Sequence, residues 1–504
     1  MPDQPHLIVI VADQLRRDLL GEHTPHLNAL MADSTTFSRA YCASPLCVPA
    51  RGAFFTGLYP NQSGSLINPW EKRDAHHGDV RAGTPNLYSL LDHTWDSWHT
   101  GKQHLYTEEK FDRSPESRTR WNSLEAGYGK RLEAAGVRRP GGPAFRGMMP
   151  EMAHGTTSRL KQYSIPTTGC YDEGLEHFFD GYILQKSLEA IEQRDRSRPF
   201  MLNAMFLAPH PPLEIPEPFY SQIRGMELPE NVGLWSADQS PLQLYNLTGY
   251  LGGRYARSDW QRVWDVYAGL VALLDHCVGQ VVTRLRDEGM YDDAVIVWTS
   301  DHGEMLGSHC LWQKMCMYEE ASHVPLSIKL PAGSDHVASS DALVSHIDVL
   351  PTLCDLLDVP TPGGLPGHSL RATIERGAAV ERDRVFLQFD GNGARGNFQR
   401  AVVCGSDKLV VDFFKDETYF ELYDVVGDPQ ELRNLAFDRQ GRVRELVSSL
   451  IEWMEETGDL LSLESAAYDR FLDQYTPYRR PEPHYPLGLG ESPPGCDDAS
   501  LARL

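Results

Sequence analysis

The sequence predicts an α/β protein: a doubly wound, mostly parallel sheet with a smaller C-terminal α+β domain. Three observations predict it. Continuous apolar, β-branched runs occur at residues 6–12, 200–206 and 294–299, as in strands buried on both faces. Long amphipathic patterns at 172–194 and 260–288 separate them. From about residue 384, short strand-like runs crowd together instead.

The elements follow in order. The first strand, His6-Leu7-Ile8-Val9-Ile10-Val11-Ala12, ends in Asp13 and Gln14. Helical patterns cover 25–33, 49–58 and 86–92, and a short strand at 95–99 leads into Gly101-Lys102-Gln103-His104. Residues 106–170 are polar, rich in Arg, Gly and Pro, and weakly periodic. They read as an insertion over the site mouth, where selectivity would reside. The strand at 200–206 runs into Ala208-Pro209-His210-Pro211-Pro212. A second rim is expected at 214–258, with Trp235, Tyr245, Tyr250 and Tyr255; plain surface loops would suit both segments too. The strand at 294–299 ends in Ser300-Asp301-His302-Gly303-Glu304, and Lys314 follows. A helix starts at Asp348, and Pro360-Thr361-Pro362-Gly363-Gly364 breaks the pattern. Strands are then expected at 385–389, 400–404, 408–413 and 419–423, with a helix at 441–455. The expected division is a catalytic domain at 1–375, a C-terminal subdomain at 376–476 and an extended, Pro-rich tail at 477–504.

Composition bounds the function. The chain has 504 residues, 41% hydrophobic and 23% charged, which is ordinary for a globular protein. A net charge of −23 argues against nucleic acid as a partner. A local pocket can still be positive inside an acidic shell. No basic and apolar leader precedes the first strand, and no apolar run looks long enough to span a bilayer. A cytoplasmic protein without a membrane partner is therefore expected. The nine cysteines include no CxxC pair, so neither a disulfide framework nor a structural zinc site is indicated.

The chemistry centres on Cys47, in Ser44-Pro45-Leu46-Cys47-Val48-Pro49-Ala50-Arg51. Cys-x-Pro-x-Arg is the minimal signal for oxidation of cysteine to Cα-formylglycine, whose hydrate is a geminal diol. A phosphatase loop would need five residues between Cys and Arg, and Ala53 stands at that place. An inert cysteine on a loop entering a helix fits the pentapeptide equally. Asp13 and Asp301 end two buried strands, and open α/β sheets place their sites at such ends. Two carboxylates delivered to one sheet edge suggest a shared hard cation such as Ca²⁺, Mg²⁺ or Mn²⁺. Lys102, His104, His210 and Lys314 follow successive strands and can converge there as cationic and imidazole donors.

In this order, the motifs resemble the type I, formylglycine-dependent sulfatases of the alkaline phosphatase superfamily. The resemblance spans residues 6–440 and includes Glu421-Leu422-Tyr423-Asp424, Asp428-Pro429 and Asn434-Leu435. Gln14, where many sulfatases carry Asp, and His302, where many carry Asn, resemble the choline-sulfatase and phosphonate monoester hydrolase branch. The resemblance implies an alkaline-phosphatase-like fold and a sulfuric ester hydrolase. It implies a divalent cation on Asp13, Gln14, residue 47, Asp301 and His302, with Ca²⁺ expected first and Mn²⁺ or Mg²⁺ compatible. Residue 47 would be the nucleophile, steadied by Arg51 and Lys102, with His104 as the base. His210 and Lys314 would bind the sulfate, one of them protonating the leaving alcohol, and Asn68 would contact the oxyanion. A formylglycine-generating enzyme is the implied maturation partner. The tail would embrace a neighbouring subunit in a homo-oligomer.

Several substrates stay open. The polar insertion favours a sulfated carbohydrate, with Arg73, Asp74, His76 and His77 on the rim. A choline-type substrate would want an aromatic cage, for which Trp70, Trp121 and Tyr128 are available. A phosphonate or phosphate hydrolase would share every motif. A non-catalytic anion binder would keep Cys47 unconverted.

Overall fold

The computed structural model describes residues 4–478, except 70–74, 154–155 and 392–396. Eight strands form its main sheet: β1 (His6–Asp13), β2 (Thr35–Tyr41), β3 (Asp96–Gly101), β4 (Arg120–Ser123), β5 (Phe200–Pro209), β6 (Ala294–Ser300), β7 (Leu326–Lys329) and β8 (Ser339–Ser345). Their order is β8-β2-β7-β6-β1-β5-β3-β4. β1 runs parallel to both neighbours, with Val9 opposite Val297 on β6 and Asn203 on β5. β7 runs against its neighbours β6 and β2, while the other pairings are parallel.

β1 shows why the sheet is wound on both faces. Successive side chains of a strand point to opposite faces. Ile8, Ile10 and Ala12 enter one core, with residues of α2 (Phe179–Glu192) and α3 (Arg257–Asp287). Leu7, Val9 and Val11 enter the other, with Phe54 and Phe55 of α1 (Cys47–Thr56) and Leu350 and Leu353 of α4 (Val349–Leu356). Each fully buried aliphatic side chain contributes roughly 1.5–3 kcal/mol. The strand is therefore strongly fixed, and so are the polar residues at its end.

α3 corrects one expectation. An 18-residue window of it has a mean hydropathy of 1.4, long and apolar enough to cross a membrane. In the fold, 78% of that window is buried, and a helix covered nearly all round is apolar nearly all round.

The C-terminal strands Arg384–Phe389, Phe398–Cys404, Asp407–Phe414 and Glu417–Asp424 form an antiparallel meander. It packs against α5 (Gln440–Thr457) and the helix Ala467–Gln474. Lys408 links it to the larger unit: buried, it pairs with Glu319 at 2.9 Å and Glu431 at 2.7 Å.

Residues 106–170 are more than a rim. They supply the edge strand β4, the helix Leu124–Ala135 and the hairpin of Arg146–Ala153 and Thr156–Ser164. The tail beyond residue 478, with Cys496, lies outside the described residues.

Candidate active site

β1 and β6 end side by side, with Ala12 opposite Ser300. The Asp301 N–H then donates to the Ala12 carbonyl at 3.1 Å, which brings Asp13, Asp301 and His302 to one edge of the sheet. From behind, α1 begins at Cys47, so the thiol sits at the positive end of a ten-residue helix. One ligand atom each from Asp13, Cys47, Asp301 and His302 lies within 4.8 Å of all the others, and all four residues are buried.

Arg51, one turn into α1, ties the carboxylates together. Its Nη2 donates to Asp13 at 2.9 Å, its Nε to Asp301 at 3.0 Å and its Nη1 to the Lys102 carbonyl at 3.0 Å. Lys102 reaches the site because the chain turns sharply at Gly101. That glycine has φ +94°, and a Cβ there would stand 2.0 Å from the Met205 carbonyl oxygen. Lys102 Nζ lies 2.5 Å from Asp13 and 3.7 Å from Cys47 Sγ.

His302 Nε2 is 3.1 Å from Cys47 Sγ, while its Nδ1 lies 3.0 Å from the Gly303 carbonyl and donates to it. That bond fixes the ring and leaves Nε2 as the ligating atom. His210 Nδ1 is likewise 2.5 Å from the Pro211 carbonyl, with Nε2 3.9 Å from Asp13. Asn68 accepts the Val48 N–H at 3.0 Å, which seats its side chain beside the start of α1. His104, at φ +46°, makes no hydrogen bond to Cys47; its Nδ1 is buried without a partner.

The site favours an anion at the Cys47 atom. Burial and Asp13 push the thiol up, but Lys102, Lys314 and His302 outweigh them and bring it down to about 7. Burial would also raise Asp13, yet the charges of Lys102 and Arg51 hold it well below the usual carboxylate range. Burial first, then Lys102, keeps both His104 and His210 well below the usual imidazole range, so both rings are neutral.

Lys314 arrives on an irregular, buried loop. Leu306, His309, Cys310, Gln313 and Met315 all have positive φ, which is costly for such side chains. The segment expected as a second rim partly serves to hold this loop. Thr248 Oγ1 donates to the Lys314 carbonyl at 2.9 Å, Asn246 to the Met315 carbonyl at 3.1 Å and Gln239 to the His309 carbonyl at 3.0 Å. Lys314 Nζ donates to Gln14 Oε1, and Gln14 Nε2 donates to Glu304. Glu304 closes the Asp-His-Gly-Glu run without a predicted role; its place two residues after His302 is the signal the sequence offers.

A divalent cation fits this donor set: two buried carboxylates and a fixed imidazole nitrogen, with the atom of residue 47 among them. Cationic side chains balance Asp13 and Asp301 in the structure.

Residues 5–359 match the sulfatase family. The chain belongs to the sulfatase family. It is thus a sulfuric ester hydrolase of the alkaline phosphatase superfamily. Residues 307–458 match the C-terminal region described as N-sulphoglucosamine sulphohydrolase, C-terminal. Among relatives, the choline-sulfatase of Rhizobium meliloti is 27% identical over 461 residues, covering 87% of this chain and 84% of its own. The phosphonate monoester hydrolase of Agrobacterium radiobacter superposes with a TM-score of 0.73 at 22% identity, over 90% of this sulfatase and 96% of the other chain. BT4656, solved with its substrate D-glucosamine-2-N,6-O-disulfate, superposes with a TM-score of 0.66 at 19% identity, over 91% and 99%.

Two of the three aromatics available for a choline-type cage, Trp121 and Tyr128, pack against other side chains of this sulfatase. Tyr128 is buried, its ring tilted against that of Phe179 and its hydroxyl donating to the His177 carbonyl at 2.7 Å. Trp121 packs on Tyr88 and His99, with ring centroids 4.8 Å away in both cases. Trp70, Arg73 and Asp74 lie outside the described residues, and His77 is exposed.

Proposed function

We propose that this sulfatase hydrolyses the sulfate ester of a carbohydrate, with formylglycine at position 47 and a bound divalent cation. The net reaction converts ROSO₃⁻ and water to ROH and HSO₄⁻. The observation that carries the reading is the convergence of Asp13, Asp301, His302, Arg51 and Lys102 on the Cys47 Sγ position. That sulfur stands where a formylglycine oxygen would be. Once oxidised and hydrated, residue 47 supplies two geminal hydroxyls, one to attack sulfur and one whose deprotonation expels sulfate. The cation would be held by Asp13, Gln14, residue 47, Asp301 and His302, and would supply Lewis-acid polarisation; Ca²⁺ is the first expectation, with Mn²⁺ and Mg²⁺ compatible.

The other roles belong to side chains. Lys102 and Arg51 steady negative charge at position 47. His104 is neutral and has a buried ring nitrogen free to take a proton, as the base that triggers sulfate release requires. His210 offers Nε2 in a ring whose Nδ1–H is already spent on Pro211. Lys314 keeps N–H donors in hand and is therefore the better source of the proton for the leaving alcohol. Asn68 would donate to a sulfate oxygen.

Support for a sugar comes from the polar segment at 106–170 and from the glucosamine disulfate held by a structural relative. The second reading, a phosphonate hydrolase, draws on the phosphonate monoester hydrolase that shares the fold. Turnover of sulfated monosaccharides, choline sulfate, an aryl sulfate and an aryl phosphonate separates the readings. The protein should be made with a formylglycine-generating enzyme and its aldehyde content measured with a hydrazide tag. Tagged protein that prefers the phosphonate over every sulfate would overturn the proposal.

A further inference from the structure

We propose that Glu304 is a positioning residue: it fixes which end of the Gln14 amide faces the cation. The inference rests on the reading of Gln14 as a metal ligand. Gln14 follows Asp13 at φ +67°, and its backbone N–H donates to Asp301 Oδ1 at 3.0 Å. Its side chain is held at both ends. Nε2 donates to Glu304 Oε2, and Oε1 accepts from Lys314 Nζ. Glu304 is fully buried, and its other oxygen accepts the Leu306 N–H at 3.1 Å.

Both oxygens of Glu304 accept hydrogen bonds, one from Gln14 Nε2 and one from the Leu306 N–H, whereas an amide has a donating and an accepting end. Glu304 therefore admits one orientation of Gln14, with NH₂ toward Glu304 and C=O toward Lys314. The amide oxygen has two lone pairs, one for Lys314 and one for a cation. A glutamine at 304 would remove the restriction at the Nε2 end and leave Lys314 holding the other. Its own NH₂ could face Gln14, whose amide would then turn and aim NH₂ groups, which cannot ligate, at the metal. The same pairing explains why an amide stands at position 14. A carboxylate there would face Glu304 as a buried like charge.

The test uses the full chain and Ca²⁺ titrations by calorimetry, with Asp301→Asn as a control. Glu304→Gln and Gln14→Glu should each weaken Ca²⁺ binding at least ~10-fold, since each spoils the donor–acceptor match. The exchanged double variant, Gln14→Glu with Glu304→Gln, restores one carboxylate, one amide and their hydrogen bond. It should bind Ca²⁺ more tightly than either single variant. A merely structural role for Glu304 would make the double variant worse than both. Glu304→Gln binding within twofold of the parent, while Asp301→Asn does not bind, would overturn this inference alone. Equal binding by Asp301→Asn and the parent, or none by the parent, would overturn the metal reading beneath it as well.

Discussion

Arg51 carries the electrostatic balance of the site. It is buried and bonds Asp13 and Asp301 at 2.9 and 3.0 Å. Removing one partner of a buried ion pair typically costs ~3–5 kcal/mol, because the other charge is left uncompensated. Arg51→Ala should lose about that much stability in urea unfolding without metal. Saturating Ca²⁺ should return part of it, because a ligand that binds the native state stabilises it. An unchanged unfolding midpoint would contradict the role given to Arg51. Cys47 is the second decisive residue. Cys47→Ala should lower turnover by at least ~10⁴-fold, the scale of nucleophile deletions, with an unaltered circular dichroism spectrum. Cys47→Ser should also be near-inactive. Its single hydroxyl can accept the sulfuryl group but has no second hydroxyl to release it, so intact mass spectrometry should find a sulfated serine. Full sulfatase activity in either variant would remove Cys47 from the mechanism.

At the scale of elements, the start of α2 braces the end of β5. Asp180 accepts the Leu207 N–H at 2.8 Å and the Ala208 N–H at 3.0 Å, just before Pro209 and His210. Its second carboxylate oxygen is buried without a partner. Burial pushes this carboxyl up to about 7, against the pull of those two backbone N–H groups. The unfolded carboxyl titrates near ~3.9. Between those values the folded state holds a proton that the unfolded state has released. The stabilisation is fully present below about pH 4 and is lost as pH rises through about 7, an effect of at most ~4 kcal/mol. Urea unfolding of the parent at about pH 5 and about pH 8 should show this slope. Asp180→Asn should flatten it, and an equal slope in that variant would refute the assignment. The brace was illegible in the sequence, because Asp180 lies 27 residues before Leu207 and nothing local links them. The strands β1, β5 and β6 were legible, because burial on both faces writes a continuous apolar run. β2 was not: Thr35-Thr36-Phe37-Ser38-Arg39 reads as polar, and its pairing with β8 joins residues some 300 positions apart. Asp13, Asp301 and His302 could be placed because strand ends are fixed points. Lys314 could be assigned a role but not a position, because its loop takes positive φ at non-glycine residues.

For the whole molecule, charge sets the approach of substrate. The chain carries −23, yet the site gathers Arg51, Lys102 and Lys314 around Cys47. An anionic ester is repelled at long range and attracted at short range. Salt screens the first interaction more than the second, with a Debye length of ~8 Å at 0.15 M. kcat/KM should therefore rise ~2-fold or more between about 10 and about 150 mM salt, the opposite of a steered enzyme. A steady fall in steady-state assays would show that the cationic pocket governs encounter from afar. The link of Lys408 to Glu319 and Glu431 binds the meander to the unit that carries the site.

Cys47 is 2% exposed in the folded chain, and that burial sets a timetable. An enzyme converting the thiol, as the proposed function requires, would have to reach it while the polypeptide is still open. His302, which closes over the sulfur, lies 255 residues downstream. At roughly 5–20 residues per second, a ribosome needs ~13–50 s to make that stretch. On that proposal, oxidation of Cys47 would have that interval, plus the time the finished chain takes to fold. Maturation would then be a race between two catalysts, one extending the chain toward His302 and one working on Cys47.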